Sequence, residues 1–381
     1  MKYFLIAGEA SGDLHGAQLI EALRKTDHNA TFAFLGGDLM AQAAGTQPVI
    51  HYRDMAFMGF SEVIRHLPQV LGNLKEARRA MLQFAPDAFI PVDYPSFNFK
   101  VAKTAARAGI PVYYFISPKL WAWKSWRIKS IKRYVRKVLA IFPFEPAWYA
   151  ERGYKAEYVG NPSVAEIDAA MAQTPSRDEF LKQHKLRDRP IIALLPGSRR
   201  SEVRRNLPVM IAAVHRYAQY RAVVAGAPGL EDEFYSSLTQ LPVVRNSTYA
   251  LLRHAEAALV TSGTATLEAA LAGVPQVVCY RSNGSKITHD IMKRVLSIGH
   301  VSLPNIISGR EVVPEMLLHR CTPELVAEQL TPLLRTGSDE RGAQLQGYRE
   351  MRDILGSKDA AATAARIIVD DLRKEGPAEA L

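Results

Sequence analysis

The chain of 381 residues carries 48 Lys and Arg against 38 Asp and Glu, a net charge of +10, with 48% apolar and 23% charged residues. That length suits two or three domains, each able to bury a sizeable core, and the composition excludes a disordered chain. Two cysteines far apart, Cys279 and Cys321, argue against a disulfide scaffold or a cysteine-ligated zinc site and fit a reducing compartment. No apolar run approaches the ~18 residues needed to span a bilayer. The apolar stretch 3–7 is too short and wrongly flanked for a secretory signal. The charge is uneven: residues 1–165 hold 21 basic and 13 acidic side chains, net +8, whereas 166–381 hold 27 and 25. An anionic partner is therefore expected on the first half.

In chain order, apolar runs predict strands over 3–7, 31–35, 89–92, 112–115 and 138–142. Helical patterns over 13–24, 70–84, 97–108 and 124–137 alternate with them. The second half repeats the alternation, with strands over 191–195, 222–225, 257–261 and 276–280 and helices over 203–218, 265–272 and 285–296. Such alternation predicts parallel sheets covered on both faces. The turn residues at 160–163 separate the two series. The expectation is an α/β chain of two doubly wound, Rossmann-like domains, 1–162 and 163–345, facing a cleft, with ligands at the carboxyl ends of the strands. Residues 346–381 form a helical segment that could pack back on the first domain.

Several strand-to-helix loops could carry chemistry. The segment 8–13 (GEASGD), which includes Ser11, either lets a ligand approach the backbone or is a tight turn with Asp13 near a helix start. It is not a dinucleotide fingerprint. Asp93 follows the run 89–92, where a carboxylate can act as general base, or can simply cap or hinge the turn. In the segment 195–203, Ser198 and Arg199 follow a glycine, and an arginine there suits a phosphate oxygen. In the segment 261–268, Ser262, Gly263 and Thr264 offer an anion cradle, and Glu268 lies one turn inside, within reach of ribose hydroxyls. Plain capping is the alternative there. Two such loops without a Walker sequence favour a nucleotide-sugar site over an NTPase.

Residues 119–137 hold eight basic side chains (Lys119, Lys124, Arg127, Lys129, Lys132, Arg133, Arg136, Lys137), no acid, and three of the four tryptophans. One reading is contact with an anionic membrane through Trp121, Trp123, Lys124, Trp126, Arg127, Lys132 and Arg136. Stacking on single-stranded nucleic acid is a second, supported by no recognised signature. A solvated basic face beside core tryptophans is the third. The ten histidines form no HxxxH or HExxH pattern, so no metal site is expected; His15 and His289 read as hydrogen-bond donors.

Together these segments resemble the lipid A disaccharide synthases, family-19 glycosyltransferases. The matching elements run in order: AGEASGD (7–13), MGFSEV (58–63), PVDYPSFN (91–98), SPKLWAW (117–123), FPFE (142–145), VGNP (159–162), LLPGSRRSEV (194–203), SGTATLE (262–268), YR (280–281) and LPNIISGREVVPE (303–315). The resemblance implies the two-domain GT-B fold. It also implies transfer of 2,3-diacylglucosamine from UDP-2,3-diacylglucosamine to 2,3-diacylglucosamine 1-phosphate, giving a β-1,6-linked disaccharide and UDP without a cofactor. It implies Asp93 as the essential aspartate and Arg199 as the essential arginine. Ser11, Glu268 and the donor-site Asn305 match further family positions. Ser96 stands where many members carry a second carboxylate, and Asn161 where many carry histidine. The implied location is cytoplasmic, peripheral on the inner face of the inner membrane, with no nucleic acid partner. Oligomeric state stays open, a homodimer being one option. The rival readings are a UDP-sugar 2-epimerase of the same architecture and a non-catalytic basic membrane-binding protein.

Overall fold

The computed structural model describes residues 1–55, 67–122, 124–281 and 299–375. Trp123, the segment 58–63, His289 and the expected helix 285–296 lie outside the described residues. The chain forms two compact units, Met1–Pro162 with Ser357–Leu381, and Ser163–Gly356.

The first unit is built on strands β1 (Lys2–Ala7), β2 (Thr31–Gly36), β3 (Ile50–His51), β4 (Ala88–Val92), β5 (Tyr113–Phe115), β6 (Lys137–Ala140) and β7 (Ala156–Tyr158). They pair in parallel in the order β3-β2-β1-β4-β5-β6-β7. β1 reads as a continuous apolar run because both its faces are covered. Tyr3, Leu5 and Ala7 join one core with Leu19, Ile20 and Leu23 of the helix Ala10–Thr26. Phe4 and Ile6 join the other with Met81 and Val101. The expected single helix over 124–137 is instead a one-turn 3₁₀ segment, Ser125–Arg127, followed by the helix Ile128–Tyr134. Lys124 before it takes a left-handed φ of 57°, and extended backbone at Val135 ends the helix.

The second unit has β8 (Ile191–Leu195), β9 (Arg221–Gly226), β10 (Val243–Arg245), β11 (Ala255–Thr261), β12 (Gln276–Tyr280) and β13 (Glu315–Leu317), parallel in the order β10-β9-β8-β11-β12-β13. The expected boundary at 345/346 falls inside the helix Asp339–Leu355, which stays with this unit. There Gln344 accepts from the Gln276 N–H at 2.6 Å, and the Tyr348 hydroxyl donates to the Val274 carbonyl at 3.2 Å. The changeover comes at Gly356. The last helix, Ala360–Glu375, buries Ala364, Ala365, Ile368 and Val369 in the first unit's core. Among the described residues, no helix is long and apolar enough to cross a membrane.

Polar contacts lock that last helix to the first sheet. The Tyr113 hydroxyl donates to Asp371 Oδ2 at 2.7 Å, Arg136 Nε donates to the same oxygen, and Lys137 Nζ lies 3.6 Å from the other. Burial alone would raise this carboxyl, but Arg136, Tyr113 and Lys137 hold it below the ordinary carboxylate range. A depressed pKa in the folded state contributes stability above the unfolded value, ~3.9, which is lost as pH falls through the folded one. Asp371→Ala should therefore cost about 1–3 kcal/mol in chemical denaturation at pH 7. The gap should close below about pH 4. Equal stability of the two proteins at pH 7 would show that the contacts contribute nothing.

Candidate active site

In each sheet the strand order reverses beside one strand: β1 lies between β2 and β4, and β8 between β9 and β11. The loops leaving such strands diverge and open a crevice at their carboxyl ends.

At the first crevice stands Asp93, directly after β4, half-buried, with its N–H donated to the Phe115 carbonyl at 3.2 Å. Asp93 and Tyr94 both take left-handed backbone, φ 43° and 47°, an uncommon state for residues with a Cβ. The surroundings hold it. Asn98 Nδ2 and the Tyr114 hydroxyl donate to the Asp93 carbonyl at 2.7 and 2.8 Å, and the Tyr94 hydroxyl donates to the Met55 carbonyl at 2.9 Å. Gly8 makes room: a Cβ there would come within 2.3 Å of the Tyr94 ring. Burial and the nearby Glu9 carboxylate push the Asp93 carboxyl up to about 6, with Lys119 opposing. Such a carboxylate can accept a proton near neutral pH. Ser11 lies in the first turn of the helix Ala10–Thr26 and donates to Glu9 Oε1 at 2.8 Å. Asp13 is no ligand group: its carboxylate accepts the N–H groups of Gly37, Leu39 and Met40 at 2.6–3.2 Å, capping the next helix.

At the second crevice a cavity of about 500 Å³ is lined by Ser198, Arg199, Ser262, Gly263, Thr264 and Glu268, among others. The Arg199 side chain is 69% exposed, on the turn into the helix Arg200–Val214. Gly263 has φ 141° with nothing within 4 Å of where a Cβ would stand, so a ligand can approach the backbone at the start of the helix Thr264–Leu271. Burial raises the Glu268 carboxyl, Thr264 opposes, and Glu166 adds to the rise.

Other expected residues are placed elsewhere. Asn305 is fully buried and spends its side chain on its own fold. Its Nδ2 donates to the Val313 carbonyl and Glu315 Oε1, and its Oδ1 accepts from Val312 and Val313, all at 2.7–2.9 Å. It does not line the cavity. Trp121 is buried, packs edge-on against Phe142 and Phe144, and donates its Nε1–H to Glu145 Oε1 at 3.0 Å. It cannot face a membrane, because its ring fills the core and its one donor is used. Arg136 is committed to Asp371. Trp126, by contrast, is 64% exposed, and Lys124 and Lys132 are exposed with it. Arg127 reaches Ser96 Oγ at 3.4 Å and lies over the Phe99 and Trp126 rings.

Sequence patterns give no hint of Asn206, wholly buried inside a helix. Its Nδ2 donates to Thr261 Oγ1 at 2.7 Å and to the Pro196 carbonyl at 3.2 Å, and its Oδ1 accepts the Arg281 N–H at 2.9 Å. One amide thus ties together the ends of β8, β11 and β12 beneath the cavity. An uncharged polar residue among Arg204, Arg205 and Leu207 carries no signal of such a role.

A family model described as Lipid-A-disaccharide synthetase matches residues 3–368. The chain is 39% identical to a lipid-A-disaccharide synthase of Acidobacterium capsulatum, over 95% of this chain and 93% of that one. It is also 39% identical to the lipid-A-disaccharide synthase of Myxococcus xanthus, over 97% of each. The fold is similar to that of the Methanocaldococcus jannaschii UDP-GlcNAc 2-epimerase solved with UDP-GlcNAc and UDP, with a TM-score of 0.63 at 14% identity, covering 97% of this chain and 100% of that one. At that identity the likeness establishes the fold alone, which is of the GT-B kind.

Asn206→Ala should destabilise the second unit by about 1–3 kcal/mol, because buried groups lose their partners. Chemical denaturation followed by far-ultraviolet circular dichroism measures it. A loss below about 0.5 kcal/mol, the scale of a surface change, would mean that the tie is not structural.

Proposed function

The chain belongs to the lipid-A-disaccharide synthase family, and we propose that it transfers 2,3-diacylglucosamine from UDP-2,3-diacylglucosamine to the 6-hydroxyl of 2,3-diacylglucosamine 1-phosphate. The observation that carries this reading is the convergence of Ser198, Arg199, Ser262, Gly263, Thr264 and Glu268 on one cavity at the second crevice. That cavity binds the UDP of the donor. Glu268 accepts hydrogen bonds from the ribose hydroxyls. Arg199 and the N–H groups around Gly263 meet the charge that grows on the departing diphosphate. The first unit serves the acceptor. Asp93 takes the proton of the 6-hydroxyl as its oxygen bonds to the anomeric carbon. One displacement inverts that carbon, so no covalent sugar–enzyme intermediate forms. In this reading Asn305 braces the 312–315 segment and Ser11 pairs with Glu9, and neither touches the nucleotide.

The acyl chains place the work at a membrane surface, the inner face of the inner membrane. Trp126, together with the exposed Lys124, Lys129, Lys132 and Arg133 of the same segment, is the docking patch, smaller than the whole basic segment. An exposed tryptophan with exposed cations nearby in sequence suits an anionic interface. Among the alternatives, a 2-epimerase would leave this patch without a task, and a non-catalytic binder would leave the 500 Å³ cavity without one.

Asp93→Asn should keep UDP affinity while turnover falls about 10²–10⁴-fold, the range for a lost general base. In the parent, kcat/KM should fall as pH drops through about 6, because protonation of Asp93 removes the base. The Asp93→Asn variant should lack that limb. Near-normal turnover in a folded Asp93→Asn protein, or an acid limb at ordinary carboxylate pH, would remove Asp93 from the mechanism. For the docking patch, Trp126→Ala with Lys129→Gln and Lys132→Gln should lower co-sedimentation with phosphatidylglycerol vesicles about tenfold or more, at ~1 kcal/mol per basic residue. Activity on detergent-dispersed substrate should change far less. Unchanged vesicle binding would reject the patch.

A further inference from the structure

The turn after β8 already holds an anion of the chain's own. Glu202, in the first turn of the helix Arg200–Val214, folds its carboxylate back over the turn. Its Oε2 accepts the Ser198 N–H at 3.2 Å and the Arg199 N–H at 3.3 Å, and its Oε1 lies 3.7 Å from Arg199 Nη1. Gly197 is shaped around it: φ is 122°, and a Cβ there would stand 2.7 Å from Oε2 and 2.8 Å from the Glu202 Cβ. The side chain is 28% exposed and lines the same cavity as Ser262, Gly263 and Glu268. Backbone N–H groups at a helix start beside a guanidinium are the groups a phosphate uses. A carboxylate and a diphosphate cannot both hold them, since like charges at such distances repel strongly.

We propose that Glu202 competes with the diphosphate of the nucleotide for Arg199 and the turn's N–H groups, and so acts as the group that drives UDP release. The proposal rests on the reading that UDP occupies this cavity. When donor binds, the Glu202 carboxylate swings away and Arg199, exposed at its tip, turns to the phosphates. When UDP departs, the carboxylate returns, so the N–H groups it frees are not left without a partner. The bound state is weakened and the empty state kept folded. Tight holding of a product would otherwise limit turnover.

Glu202→Gln keeps an acceptor oxygen for the turn and removes only the charge; Glu202→Ser removes the charge with a shorter acceptor. Calorimetric titration of the full-length proteins with UDP should give a Kd about tenfold lower in the variants, the scale of one partly solvated charge taken from a phosphate's surroundings. Steady-state assays should show a lower kcat and stronger inhibition by UDP, with the melting temperature of the UDP-free Gln variant near that of the parent. Unchanged or weaker UDP binding in the folded variants would overturn the proposal and leave Glu202 as a helix cap. Failure of the parent itself to bind UDP would overturn the assignment of the cavity, and the proposal with it.

Discussion

A parallel sheet exposes backbone groups in a gap only where its connections change direction, and in both units the polar chemistry is gathered at that gap. β1 and β8 are the reversing strands. The loop leaving each is constrained by close approach. At Gly8 the Tyr94 ring fills the space of a side chain, and at Gly197 the Glu202 carboxylate does. The Tyr94 ring accompanies the left-handed Asp93–Tyr94 backbone, and the Glu202 carboxylate accepts the N–H groups of Ser198 and Arg199 in the turn. Asp93 owes its proton affinity to the same arrangement, since burial and Glu9, not a specific donor, set it.

The central strands were legible because burial on both faces leaves an unbroken apolar run. Runs such as 191–195 admit no polar residue. Among the described residues, the strands that apolar runs do not announce are β3, β7, β10 and β13, the outer strands of the two sheets. Each has only two or three residues, too few for any periodicity. The loops of the candidate site were legible for a related reason: glycine and hydroxyl residues between an apolar run and a helical pattern mark the carboxyl end of a strand. What stayed hidden were the partners. The Trp121 indole and the Glu145 carboxylate, 24 residues apart, meet in the core, and burial pushes Glu145 up to about 7. Arg136 meets Asp371 across 235 residues. Composition made the basic segment look uniform; packing divided it into core, brace and exposed patch.

Fold and family give different information about this chain. Fold likeness at 14% identity is compatible with epimerisation or transfer, because function resides in the site and not in the architecture. Identity of 39% over nearly the whole length selects the synthase. An epimerase and a transferase can both bind a UDP-sugar in the second unit; they differ in what the first unit offers. Asp93, half-buried and poised near neutral pH beside Lys119, suits a base that meets a neutral hydroxyl.

The proposed mechanism turns on a single displacement at the anomeric carbon. The direct test is to incubate the protein with UDP-2,3-diacylglucosamine and 2,3-diacylglucosamine 1-phosphate and read the anomeric configuration of the new linkage by NMR. From a donor whose sugar is α-linked to UDP, single displacement predicts a β-1,6 linkage, one UDP released per disaccharide, and no UDP released when the acceptor is withheld. An α linkage, or stoichiometric UDP release with the sugar left on the protein, would contradict it.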